Sequence, residues 1–118
     1  MMNILLVEPD RAVAWLLREE LEDAGFDVRV CQSLSQAAQA MRREAVDVLL
    51  SDADCLGVCQ PRELDEMAGG RVCDFVLLGP RDVMPREGRP AMVRKSADLG
   101  PLKNILFGYA AKRGWLNS

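Results

Sequence analysis

Ile4-Leu5-Leu6-Val7 is a wholly apolar run, the pattern of a strand buried on both faces of a parallel sheet. It ends at Glu8-Pro9-Asp10, and from Arg11 the period changes. Val13, Leu16, Leu17, Leu21 and Ala24 recur at helical spacing, with Asp10 as N-cap and Gly25 as the stop. Phe26 to Cys31 alternates, Val28 and Val30 one way and Asp27 and Arg29 the other, as a strand near a sheet edge does. Ser33 or Ser35 caps a second helix with Leu34, Ala37, Ala38 and Met41 on its inner side.

The alternation of strand and helix continues. Val46 to Ser51 is a second apolar strand, ending at Asp52-Ala53-Asp54. Pro61 suits the first turn of a short helix that stops at Gly69-Gly70. Val72 to Leu78 is another buried strand, Ala91 to Val93 a shorter one followed by Arg94-Lys95-Ser96, and Pro101 opens a last helix with Leu102, Ile105, Leu106 and Tyr109 at core spacing. Such alternation predicts an α/β domain with a central parallel sheet and right-handed crossovers. One connection departs from it. Gly79 to Pro90 spans 12 residues and carries Pro80, Pro85 and Pro90. Each interior proline costs a regular helix about 3 kcal/mol, so this crossover is expected to be irregular or a single helical turn.

Composition narrows the chemistry. A chain of 118 residues is one domain's worth and can bury enough surface to fold without metals or disulfides. There is no histidine, which excludes Ser-His-Asp and Cys-His nucleophile systems, histidine-ligated zinc and phosphotransfer on a histidine of this chain. The net charge of -3 offers no basic stripe for nucleic acid. No apolar run is long enough to span a bilayer, and the opening residues lack a signal peptide's basic flank. The expected compartment is the cytoplasm. Cys31, Cys55, Cys59 and Cys73 then read as reduced, semi-buried thiols, since Cys55 and Cys59 lie three residues apart rather than the two of a redox or zinc pair. Trp15 and Trp115 read as packing residues.

In an open parallel sheet, ligands bind outside the carboxyl ends of the strands. At those ends stand Glu8, Pro9 and Asp10, then Asp52 and Asp54, then Gly79 and Pro80, then Lys95. No glycine-rich phosphate loop is present. Clustered carboxylates need a counter-charge, and a divalent cation or an ammonium can supply it. An aspartate beside a metal and a lysine can attack a phosphoryl group while those cations meet the charge on the transferring oxygens.

From Asn3 to about Ala111 the chain resembles the response-regulator receiver family of two-component signalling. Ile4 to Asp10 looks like the family's first strand and acidic pocket, Val46 to Asp52 like the strand ending in the phosphoacceptor, and Met92-Val93-Arg94-Lys95 like the fifth strand with its lysine. The resemblance implies a single receiver-like domain over 1–118. Its fold would be flavodoxin-like, a doubly wound five-stranded parallel sheet in strand order 2-1-3-4-5, here with a shortened fourth crossover. It places the phosphoacceptor on Asp52 and phosphoryl contact on Lys95. Mg²⁺ falls to Glu8 and Asp52, with Asp10 and Asp54 as further candidate ligands. The implied partners are a histidine kinase or phosphotransfer protein and a downstream protein, with no nucleic acid or membrane; a homodimer stays open. The chain would be a phosphoacceptor rather than an enzyme. Because it ends soon after its last helical pattern, it would work by binding a partner or as a piece of a longer protein.

Three departures qualify the resemblance. Pro9 stands where a second metal-binding acid is usual, Gly79 where a serine or threonine contacts the phosphoryl group, and Ser96 where a proline follows the lysine. A hydrogen bond to a charged group contributes about 1.5–3 kcal/mol. Losing one made only in the phosphorylated state weakens the coupling about 10- to 150-fold. A second reading is therefore a pseudo-receiver that binds partners independently of phosphorylation. A third, a cofactor binder on the same sheet topology, is disfavoured by the acidic mouth, which repels phosphate.

Overall fold

The chain's computed structural model describes residues 1–56, 66, 69, 74–86 and 90–114. Among them, five strands alternate with four helices: β1 (Asn3–Val7), α1 (Arg11–Asp23), β2 (Asp27–Cys31), α2 (Leu34–Arg43), β3 (Val48–Asp52), α3 (Ala53–Leu56), β4 (Asp74–Gly79), β5 (Ala91–Arg94) and α4 (Gly100–Lys112). The strands form one parallel sheet in the order β2-β1-β3-β4-β5. This is the doubly wound α/β architecture expected from the sequence. The alternating β2 lies at an edge, and β1 and β3, with their apolar runs Ile4 to Val7 and Val48 to Leu50, lie inside.

Side-chain alternation divides the core into two layers. Ile4, Leu6, Val48, Leu50, Val76, Leu78 and Val93 face one side, where Ala14, Leu17 and Leu21 of α1 and Leu102, Leu106 and Ala110 of α4 pack on them. Leu5, Val7 and Leu49 face the other side, against Ala37 and Met41 of α2. The helix ends follow local chemistry. The Asp10 carboxylate accepts from the amides of Ala12 and Val13 at 2.9 and 3.2 Å, and Ser33, rather than Ser35, accepts from the Gln36 amide. Gly25 leaves α1 at φ 100°, a backbone region that favours glycine.

Some expectations need correction. Leu16 is not on the inner stripe of α1: with Ala14, Leu17 and Leu21 buried, Leu16 lies more than a quarter-turn outside the stripe and is exposed. Trp15 does not pack in the core but is 61% exposed. β3 begins at Val48 rather than Val46, although Asp47 still bonds to Asn3: its amide donates to the Asn3 carbonyl and its carboxylate accepts from the Asn3 amide. The helix expected between Pro61 and Gly70, together with Cys59, Cys73 and Trp115, lies outside the described residues.

The described part of the fourth crossover, residues 79–86 and 90, holds no helix. Instead it folds back along the outer edge of β5. Val83 and Met92 exchange antiparallel backbone hydrogen bonds of 2.7 and 2.9 Å, and the Arg94 amide donates to the Asp82 carboxylate. The outward N–H groups of an edge strand are thereby satisfied within the chain, which blunts that edge against pairing with other chains.

Candidate functional site

Glu8, Asp52 and Lys95 all sit at the carboxyl rim of the sheet, and the ladder places them. The Glu8 amide donates to the Cys31 carbonyl at 3.0 Å and the Lys95 amide to the Gly79 carbonyl at 2.8 Å, so pairing runs one residue past β1 and β5. Asp52 closes β3, in register with Leu78. Positions 8, 52 and 95 share the parity of Leu6, Leu50 and Val93, so the pleat aims all three toward the α1 and α4 side of the rim.

The three side chains meet there. Lys95 Nζ donates to both Glu8 oxygens, at 2.8 and 3.1 Å, and lies 3.8 Å from Asp52 Oδ1. Glu8 is 1% exposed, whereas the side chains of Asp52 and Lys95 are 14% and 37% exposed. A buried carboxylate without a partner is costly, and the ammonium answers it. Asp52 is the acid left at the mouth with an oxygen accessible to an incoming group. Burial opposes the charge on Lys95, but the Glu8 hydrogen bond and the charges of Glu8, Asp52 and Asp10 outweigh it and raise the ammonium above lysine's ordinary value. Cys55 on α3 is also raised, by burial first and then by Asp52 and Glu8, so it stays a neutral thiol near the pocket.

The other expected ligands are differently engaged. One Asp10 oxygen, Oδ1, caps α1, and Asp54 is exposed in the first turn of α3. Among the described residues no three carboxylate or thiol side chains gather as a metal-holding group. Position 9 supplies no donor. With both Glu8 oxygens held by Lys95 and Asp52 3.8 Å from the same ammonium, the acids at the rim do not fit the Mg²⁺ site that the resemblance implies.

One residue at the rim was not foreseen. A Cβ placed on Gly79 would stand 2.7 Å from the Met92 sulfur and 3.3 Å from the Ala53 Cβ. The side chain of Met92 therefore fills the space where a hydroxyl-bearing residue would begin. The sequence cue was a glycine ending an apolar strand, but its neighbour depends on the β4–β5 register, which pairs Gly79 with Arg94 and Leu77 with Met92.

No family model matches the chain, and no curated protein matches it in sequence. Solved structures do match in shape. A receiver domain from Methylobacillus flagellatus superposes with TM-score 0.75 at 22% identity, covering 92% of this chain and 98% of its own. The response regulator TrrA of Thermotoga maritima, in complex with Mg²⁺-BeF, does so with TM-score 0.75 at 19% identity, over 92% of this chain and 99% of its own. TrrA in complex with the histidine kinase ThkA gives TM-score 0.75 at 21% identity, over 92% and 98%. The chain has the receiver fold. Within that fold, Glu8, Asp52 and Lys95 occupy the crevice where open α/β sheets bind their ligands.

Proposed function

We propose that this chain is a receiver-type domain of a two-component phosphorelay, in which Asp52 accepts a phosphoryl group from a histidine kinase or phosphotransfer protein. The carrying observation is the position of Asp52: it is the accessible carboxylate of the rim cluster, with an ammonium 3.8 Å away. An Asp52 oxygen would attack phosphorus as the donor's P–N bond breaks, giving an acyl phosphate and releasing the donor imidazole. Lys95 would meet the charge on the transferred oxygens. The chain acts here as an acceptor, not as a catalyst turning over a substrate, and no step is routed through a metal.

The partner surface follows from exposure. A groove of about 820 Å³ runs between α1 and the β5–α4 loop, lined by Val13, Leu16, Leu17, Lys95 and Leu99. It reaches the pocket at Lys95, and exposed Leu16 gives it an apolar lip. The TrrA–ThkA complex supports a kinase as the class of partner.

A second reading has its own support. Lys95 is bonded to Glu8 rather than to Asp52, and Gly79 offers no hydroxyl to a phosphoryl group. On that reading the domain binds its partner whatever the state of Asp52. Intact mass after treatment with acetyl phosphate decides: one added phosphoryl group on the wild type and none on Asp52→Ala supports the first reading. No adduct under any metal condition supports the second.

A further inference from the structure

A Mg²⁺ ion at a phosphoryl-transfer site is held by one or two carboxylates that keep oxygens free for it. The carboxylates of this pocket are already committed. Both oxygens of Glu8, a side chain 1% exposed, accept from Lys95 Nζ at 2.8 and 3.1 Å. Asp10 binds the first amides of α1, residue 9 is a proline, and Asp54 faces solvent. Of the two acids within reach of the Lys95 ammonium, only Asp52 keeps an oxygen free of a close donor, and a single carboxylate beside a fixed ammonium is a poor seat for a dication, which the ammonium repels.

We propose that the Lys95 ammonium is the resident cation of this pocket, standing where a divalent metal would be expected, so that modification of Asp52 proceeds without metal. The second half rests on the acceptor reading above; the first does not. Lys95 reaches the position because its backbone is pinned to Gly79 at the end of β5, which sets the root of the side chain at the rim. The two cations compete for the same carboxylates, so removing the ammonium should open a metal site on Glu8 and Asp52.

The test uses Mn²⁺ and Mg²⁺ as probes, read by water-proton relaxation and by thermal melting. The wild type should show no saturable Mn²⁺ binding at low millimolar concentration and no shift in Tm with either ion. Lys95→Gln should bind Mn²⁺ at least roughly tenfold more tightly than the wild type, with a Tm that climbs as the ion is added. If Lys95→Gln is unfolded alone, refolding by Mn²⁺ supports the proposal, and failure to refold overturns it. Submillimolar Mn²⁺ binding by the wild type overturns it as well. For the chemistry, acetyl phosphate is supplied with EDTA or with Mg²⁺. Equal adducts support the proposal. An adduct that needs Mg²⁺ overturns it and leaves Asp52 the acceptor. No adduct in either condition removes the acceptor reading and the second half of the proposal, and the Mn²⁺ titrations then decide the first half.

Discussion

Met92 and Gly79 interlock: the methionine sulfur lies 2.7 Å from where a β-carbon on Gly79 would stand. A hydroxyl restored at position 79 therefore requires the Met92 side chain to turn aside first. The Met92 backbone is held by β4 on one side and by the Val83 bridge on the other, so the adjustment falls to its side chain. Gly79→Ser should destabilise the fold by only about 1 kcal/mol, the low end for overpacking, because a flexible side chain can turn aside. In a Met92→Ala background the same change should cost close to nothing. A urea double-mutant cycle measures the difference, and additive effects would show that the two residues do not share this space.

The Glu8–Lys95 pair makes a second prediction. Removing one partner of a buried pair costs about 3–5 kcal/mol, because the remaining charge is stranded, while replacing both by apolar groups is often neutral. Lys95 is 37% exposed and water reaches it, so Lys95→Met should fall near the lower end, about 3 kcal/mol. Glu8→Met combined with Lys95→Met should recover most of that loss. Urea unfolding of the three variants measures it; a double variant no more stable than Lys95→Met would contradict the stranded-charge argument.

Much of this arrangement was legible before any coordinates. The apolar runs of β1 and β3 and the alternation in β2 carried the sheet's layout, and Glu8, Asp52 and Lys95 followed as strand-end residues. What escaped has physical causes. Leu16 and Ala14 differ by two positions on α1, and hydrophobicity alone favours the leucine, although the stripe geometry buries the alanine. The Gly79–Met92 contact depends on inter-strand register, which no local pattern encodes when both strands are apolar. The fold-back of Val83 onto Met92 lies in a proline-rich segment with neither helical nor strand period. Asp10 was readable as both cap and ligand, and in the fold one of its oxygens caps α1, where two amides need an acceptor.

The far end of the sheet holds a clasp that makes a third prediction. Arg113, just past α4, donates to the Asp47 carbonyl and to Asp74 Oδ2, each at 3.0 Å, and lies 3.5 Å from Asp47 Oδ1. Asp47 in turn accepts from the Asn3 amide. One guanidinium thus ties the last helix to the starts of three strands. Arg113→Ala should cost about 1–3 kcal/mol, since it strands partly buried acceptors, and Arg113→Lys should recover only part, lacking the planar fork. Hydrogen exchange at the Asn3 and Asp74 amides should quicken in both variants. Unchanged protection there would show that the clasp carries no weight.

Alkaline pH gives the last prediction. Burial, and then the neighbouring Cys55, push the Cys31 thiol from 9.0 up to about 11, against a lowering hydrogen bond from the Ser33 backbone. Tyr109 is raised by burial and by Asp74, and Lys95 is raised by its carboxylates despite burial. All three have folded-state values above their unfolded ones. Their stabilising contributions are therefore present at neutral pH and fade as pH climbs through the folded values, because the unfolded chain loses its protons first. For Cys31 that window runs from 9.0 to about 11. Urea midpoints should be level from neutrality to mildly alkaline pH and then decline, with Cys31 the first of the three to act. Cys31→Ala should lessen the opening part of the decline, leaving the share of Cys55, which is also raised from 9.0, and the later fall from Tyr109 and Lys95. A variant curve parallel to the wild type between pH 9.0 and about 11 would remove Cys31 from the account.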